Sequence, residues 1–256
     1  MNSCIKWLYG IDGCRAGWVV AKAPCGFDEV IIDVVSDLRP IFARAKIDSV
    51  IAIDIPIGLA QNEPRACDRA ARQLLGWPRA SSVFSPPARE ALCAGSFTEA
   101  LRMNREILRI GISKQAFHIM PKIREVDELM SPQMQRYVRE VHPEVTFVQL
   151  NRGPLSYSKK DVRGRAERIR LLLTAGLDIS EPSLAQQRAR LGTRRLLVDD
   201  VIDALACLIT ASAIGRGESH CLGRIGQKDG KDLAMEIVCP AVGTFFADKL
   251  AKPECC

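Results

Sequence analysis

Acidic residues stand where the pattern of the chain changes. Asp12 closes an apolar run in GIDGCRAGWVVA, and Asp54 closes another in SVIAIDIPIG. Glu140 lies near the end of RYVREV, with Glu144 just beyond it, and Asp199, Asp200 and Asp203 open the long apolar stretch VDDVIDALACLITASAIGRG. Carboxylates brought together repel one another and hold their protons more tightly. A divalent cation relieves that repulsion. Mg2+ or Mn2+ suits such a set, because a hard cation takes a few carboxylate oxygens and fills its remaining positions with water and substrate phosphate. Asp12, Asp54, Glu140, Asp200 and Asp203 are therefore the candidate metal ligands, with Glu144 as an alternative to Glu140. His142, between Glu140 and Glu144, is a candidate for proton transfer near neutral pH. Each position also suits a plainer role. Asp12 between glycines fits a turn, Asp199 and Asp200 fit the start of a helix, and His142 before Pro143 fits a helix entry.

The elements that must carry these acids follow from periodicity. CIKWLYGID predicts a strand over 4–12, GWVVAKA one over 17–23 and EVIIDVV one over 29–35. The turns between them are short, which makes an antiparallel meander. Ser36 or Asp37 caps a helix running to about Lys46. The nearly continuous apolar run over 49–53 predicts a strand buried on both faces, hence a central parallel one. A helical region follows at about 64–130. In it Ser96-x-x-Glu99 forms a capping-box pattern, and Pro121 is expected to interrupt the last helix. A fifth strand in RYVREV comes next, then a helix opening at Pro143, helices over about 162–175 and 183–191, the long helix after Val198, and a late strand in AMEIVCP. Strand-end acids of neighbouring parallel strands meet at one sheet edge, where open α/β sheets bind ligands. The expectation is one α/β domain over 1–256 with a helical insertion at about 64–130 after the fourth strand.

Three antiparallel strands followed by parallel ones, with acids in that order, is the RNase H-like arrangement. The stretches GIDGCRAGWVVA, AIDIPIGL, RACDRAARQLLG, SSVFSPPAR, SKQAFHIMPKIREVD, VREVHPEVTFVQLN, SKKDVRGRAERIRLL and DDVIDALA resemble a domain-of-unknown-function family described as predicted RNase H-like nucleases. The resemblance extends to MEIVCP. It implies a five-stranded mixed sheet of order 3-2-1-4-5 flanked by helices, and it carries the family's acidic positions onto Asp12, Asp54, Glu140 or Glu144, and Asp200 or Asp203. Asp200-x-x-Asp203-Ala-Leu-Ala is similar to the last catalytic helix of Holliday-junction resolvases.

The remaining polar residues are candidates for holding substrate. Arg15 follows the first acid. Ser81 and Ser82 stand in SSVFSPPAR, and Ser113, Lys114, Gln115 and Lys122 in SKQAFHIMPK. Lys159 and Lys160 open the basic stretch SKKDVRGRAERIR, and QQRARLGTRR is a second basic stretch. Lys122, Glu125 and Asp127 are expected to line the same cleft. The formal net charge of +6 over 256 residues favours an anionic partner. The partner expected is nucleic acid, DNA or RNA, and self-association is left open. No apolar run is long enough to span a bilayer. Ten cysteines without a CxxC pair, and three histidines away from zinc-finger spacing, point to buried thiols in a reducing, cytoplasmic setting. Cys255 and Cys256 carry no assigned role.

A metal-dependent phosphodiesterase acting on nucleic acid is the leading expectation. An Mg-ATP phosphotransferase of the actin and sugar-kinase type on the same core is the second, and a non-catalytic nucleic-acid-binding module the third. The lack of GxGxxG and Walker patterns disfavours dinucleotide-dependent dehydrogenases and P-loop enzymes.

Overall fold

Two short, largely apolar runs form the first hairpin. In the computed structural model, which describes residues 5–44, 48–192 and 196–244, β1 spans Trp7–Cys14, β2 Gly17–Pro24 and β3 Ile31–Val35. They pair antiparallel, Cys14 opposite Gly17 and Trp18 opposite Val35. Cys4, Lys46, Arg194, Arg195, Cys255 and Cys256 lie outside the described residues.

A short helix, α1 (Arg39–Arg44), leads to β4 (Ser49–Ile53), all five residues of which are buried. β4 runs parallel to β1 on one side and to β5 (Val138–Glu140) on the other, and the sheet order is β3-β2-β1-β4-β5. This mixed five-stranded α/β sheet matches the expected order.

The described residues divide into two compact units. The first takes those within 1–54, 137–220 and 238–256, and the second takes 55–136 and 221–237. The helical part is thus wider than the 64–130 expected. It also has a second piece, which returns to it through side-chain amides. Gln135 and Ala234 exchange two hydrogen bonds of 2.7 and 2.8 Å, and the Ala66 N–H donates to Gln227 Oε1 at 2.9 Å. No linear pattern marks such pairings.

In this second unit α2 is Ala66–Leu75, α3 Phe97–Leu108 and α4 Lys114–Leu129. Pro121 lies inside α4 and does not interrupt it. The proline is exposed, and the buried stripe of Ala116, Met120, Ile123 and Val126 continues across it. That burial outweighs one missing N–H.

In the first unit α5 (Pro143–Asn151), α6 (Val162–Thr174) and α7 (Glu181–Leu191) precede α8 (Val198–Gly215). Past Asp203, α8 is largely apolar on all sides, and thirteen consecutive residues from Val201 to Ala213 are buried. Such a helix must be covered all round. It packs on β1, β2 and β4, while α5, α6 and α7 pack on it. A hydroxyl pair, Thr146 and Thr210 at 2.8 Å, ties α5 to α8. Two further strands, β6 (Ser219–Leu222) and β7 (Ile237–Pro240), form a small second sheet, and Val238 of β7 bridges to Val141 beyond β5.

Candidate active site

Asp12 is not at the end of its strand. Opposite β2, the ladder continues through Asp12 and Val19 to Cys14 and Gly17. Opposite β4 it stops one residue earlier, at Ile11 and Ile53, and the Asp54 N–H then donates to the Ile11 carbonyl at 2.9 Å. Asp12 therefore stands where its parallel partner runs out, with Asp54 beside it. The register places the two on the same face. Gly13 does not turn the chain; its N–H donates to Asp12 Oδ1 at 2.7 Å. The reversal falls at Arg15 and Ala16. Gly17 follows with φ +132°, where an added Cβ would lie 2.1 Å from the Val35 carbonyl oxygen.

The third acid comes from α8. A Cβ on Gly10 would lie 2.1 Å from the Ala204 carbonyl oxygen and 2.2 Å from the Leu208 nitrogen. Glycine thus lets helix and strand meet backbone to backbone. Gly10 and Asp12 share a face by alternation. Gly215, at the other end of α8, lies against Ile5 and Leu8, so α8 runs antiparallel to β1 and brings Asp203 toward Asp12.

The electrostatics agree with that placement. Burial, then the charges of Asp54, Asp203 and Asp200, hold the Asp12 carboxyl well above the usual carboxylate range. Burial raises Asp54 to about 7, with Glu144 adding and Lys159 opposing. Burial likewise raises Asp203 to about 6 against the pull of Lys159. Cys207, one turn further along α8, has its thiol pushed well up by burial and by the same three aspartates, so it stays neutral. Asp203 is buried, whereas Asp12 and Asp54, although crowded by protein, keep part of their surface open.

Asp200 is also raised, mainly by burial, but its Oδ2 accepts the Leu197 N–H at 2.9 Å and so satisfies an orphan donor at the helix start. The Arg15 charge reaches it, and Arg15 itself is exposed. Asp199 faces Arg165 at 3.7 Å.

The structure separates the two glutamates. Glu140 is registered with Ile53, one residue out of step with Asp54, so alternation turns it to the opposite face of the sheet. Glu144, in the first turn of α5, is the one whose charge acts on Asp54, Asp203 and Lys159. It is already matched, since both of its oxygens accept from Arg168 Nη2 at 2.8 Å in a buried ion pair. His142 precedes α5 as its N-cap residue, and its carbonyl accepts the Thr146 N–H at 3.0 Å.

The basic stretch after Ser158 is mostly a set of partners for acids. Lys159 Nζ donates to Asp203 Oδ2 at 2.9 Å, and the charges of Asp203, Glu144 and Asp54 hold its proton on more firmly than usual. Arg163 pairs with Asp161, the N-cap of α6, and lies 4.2 Å from the Tyr157 ring centre. Lys160 is exposed. Lys159, expected to hold substrate, is paired with Asp203 in the structure, and Arg168 was not among the expected residues. The only signal was that basic and acidic stretches lie in segments that pack together.

The other substrate-holding candidates belong to the second unit, where several have local work. Ser81 Oγ donates to the Pro78 carbonyl at 2.9 Å, and Ser82 Oγ to that of Arg79 at 2.8 Å. Ser113 caps α4, accepting the Ala116 N–H at 3.0 Å. Lys114 and Gln115 are exposed on the first turn of α4, and Lys122 is half-buried two turns on. Asp127, expected in the cleft, is instead gripped by Arg89 and Lys231 at 3.0 and 3.1 Å.

Among the described residues, no three His, Cys, Asp or Glu side chains converge tightly enough to form a ready-made ligand shell. The donor chemistry nevertheless suits a hard cation. Asp12, Asp54 and Asp203 offer oxygen only, with an excess of negative charge, and two of them remain reachable. Mg2+ needs just one or two carboxylates and keeps its other positions for water and substrate.

No curated protein and no solved structure is significantly similar to the chain. The family model described as "Protein of unknown function (DUF429)" matches residues 10–225, a stretch that holds Asp12, Asp54, Asp203 and the Lys159 segment, and the chain belongs to that family.

Proposed function

We propose that the chain is an RNase H-like, divalent-metal-dependent nuclease that hydrolyses phosphodiester bonds in DNA or RNA. One observation carries this reading: carboxylates from β1, the end of β4 and α8 lie within electrostatic reach of one another where the β1–β4 pairing ends, and burial and mutual repulsion raise all three above the usual carboxylate range. The sheet order and the antiparallel-then-parallel strand sequence support the fold side of it.

Asp12 and Asp54 would hold Mg2+ or Mn2+ through their open oxygens, with Asp203 closing the site from α8. A bound divalent ion activates water and offsets charge on the phosphate and the leaving oxygen. The Gly10 contact fixes the separation of helix and strand, so the carboxylates need little rearrangement to act. Cys207 beneath them stays protonated and adds no competing thiolate. Arg15 and Lys160 are exposed cations of the sign a phosphate backbone requires, and binding through them weakens as salt rises.

The test is cleavage of single-stranded and duplex DNA, RNA and hybrid substrates with Mg2+ or Mn2+, alongside thermal melts with and without the ion. Metal-dependent cleavage that Asp12→Asn abolishes is the expected result. Absence of cleavage together with equal melting temperatures in both ionic conditions would overturn the reading.

A further inference from the structure

Within its basic stretch, Lys159 is the residue whose charge is paired with an acid of the carboxylate group, Asp203. The Ser156 and Tyr157 N–H groups donate to the two oxygens of Glu167 at 2.9 and 3.2 Å. Arg168 Nη1 donates to the Tyr157 carbonyl at 3.4 Å and the Gly164 carbonyl at 2.8 Å. The Asp161 N–H donates back to the Ser158 carbonyl at 2.9 Å. A Cβ on Gly164 would lie 2.0 Å from that same Ser158 oxygen, so only glycine lets α6 press against the loop. Glu167 and Arg168 are both buried. Buried Glu167 and Arg168 thus anchor the backbone before Lys159, and its half-exposed side chain reaches buried Asp203, while neighbouring Lys160 is exposed.

We infer that Lys159 is a resident cation of the carboxylate site and that the site accordingly takes one divalent ion rather than two. The inference rests on the nuclease reading and deepens it. Charge counting supports it. Glu144 is neutralised by Arg168, and Asp200 serves the helix start with Arg15 nearby. Asp12, Asp54 and Asp203 remain. One divalent ion and one ammonium balance three carboxylates. Two divalent ions beside the ammonium would leave a crowded, partly buried pocket with an excess of positive charge, which is costly for the same reason that unpaired buried charge is. Lys159 would then supply, from the protein, the positive charge that a second ion supplies in two-metal sites, and its N–H groups would be available to a phosphate oxygen.

The experiment counts bound Mn2+ on the full chain by equilibrium dialysis and by electron paramagnetic resonance, for wild type, Lys159→Met and Lys159→Arg. Circular dichroism and metal-free melts check that each variant is folded. The wild type and Lys159→Arg are expected to bind one ion. Lys159→Met is expected to bind two, with spin coupling between them, and to hold the first about tenfold more tightly because a like charge has gone. Two ions on the wild type would overturn the inference and leave the nuclease reading standing. One ion of unchanged affinity on folded Lys159→Met would also overturn it. No ion on any variant would overturn both. If Lys159→Met does not fold, the wild-type and Lys159→Arg counts still decide the stoichiometry.

Discussion

The two units each hold a group of acidic and basic side chains, and the groups behave oppositely. In the second unit Asp127 and Asp229 face Arg89 and Lys231, two charges against two. Asp229 also accepts N–H bonds from Leu59, Lys231 and Leu233 at 2.9, 2.8 and 3.0 Å. Burial alone would raise its carboxyl, but those donors and Arg89 bring it below the usual range. In the first unit three carboxylates share one lysine, and every one of them is raised. A balanced network uses charge to fix structure. An unbalanced one raises the proton affinity of its members, as groups at functional sites often do.

Substitutions separate the two most sharply through activity. Asp12→Asn or Asp54→Asn should lower metal-dependent cleavage by roughly 10^3-fold or more. Asp229→Asn should leave turnover per folded molecule close to wild type. Equal losses in steady-state assays corrected for folded fraction would erase the distinction.

Stability should reverse the ranking. Asp229→Ala strips half-buried Arg89 of one of its two partners and leaves three N–H groups without their acceptor, at a cost of about 1–3 kcal/mol. Asp54→Asn without metal removes a repulsion and should stabilise by about 1 kcal/mol. Urea melts in a chelating buffer measure both, and a destabilised Asp54→Asn would count against charge crowding.

Gly10→Ala tests what holds the crowded acids together. It forces a methyl group into the backbone of α8 and should cost about 1–3 kcal/mol. The survivors should bind Mn2+ more weakly, because α8 and Asp203 are pushed away from Asp12. Unaltered Mn2+ affinity in calorimetry would show that the contact does not set the site.

The pH profile gives the smallest effect, but its two limbs carry opposite signs. Asp54 and Asp203 are raised to about 7 and about 6, so the folded state holds protons that the unfolded chain has lost. Metal-free stability should therefore fall as pH rises from about 4 through 7, and Asp54→Asn should flatten that fall. Asp229 is lowered. Its contribution is present above the unfolded carboxylate value of about 3.9 and is lost as pH drops through the folded value, so Asp229→Asn should flatten the acid limb instead. Guanidinium midpoints between pH 3 and 8 resolve the two.

The sequence made one half of this comparison visible. β4 lies at its expected bounds because its nearly continuous apolar run leaves little choice, and Asp12, Asp54 and the pair Asp200 and Asp203 stand out because acids interrupt apolar runs there, with nothing in the pattern to choose between the last two. The balanced network escaped notice, since Asp127 and Asp229 lie far apart in the chain among other charged residues. Glu140 was misplaced for a different reason. Its face depends on how a three-residue strand is registered against β4, and a slip of one residue reverses the answer. Lys159 was expected to hold substrate, and its pairing with Asp203 was not legible because nothing in SKKD announces that Glu167 and Gly164 will anchor its loop.

The contact of Gly10 with Ala204 and Leu208 also bears on how this molecule tolerates change. A spacing set by side chains drifts whenever those side chains are repacked, because each has alternative rotamers. Main chain resting on main chain has none. The gap between Asp12 and Asp203 is therefore insulated from substitutions elsewhere in the apolar interior. Volume-conserving exchanges among the outer helices should lower the melting temperature while leaving the site's metal affinity unchanged, so that stability and chemistry can be altered independently as long as position 10 has no side chain.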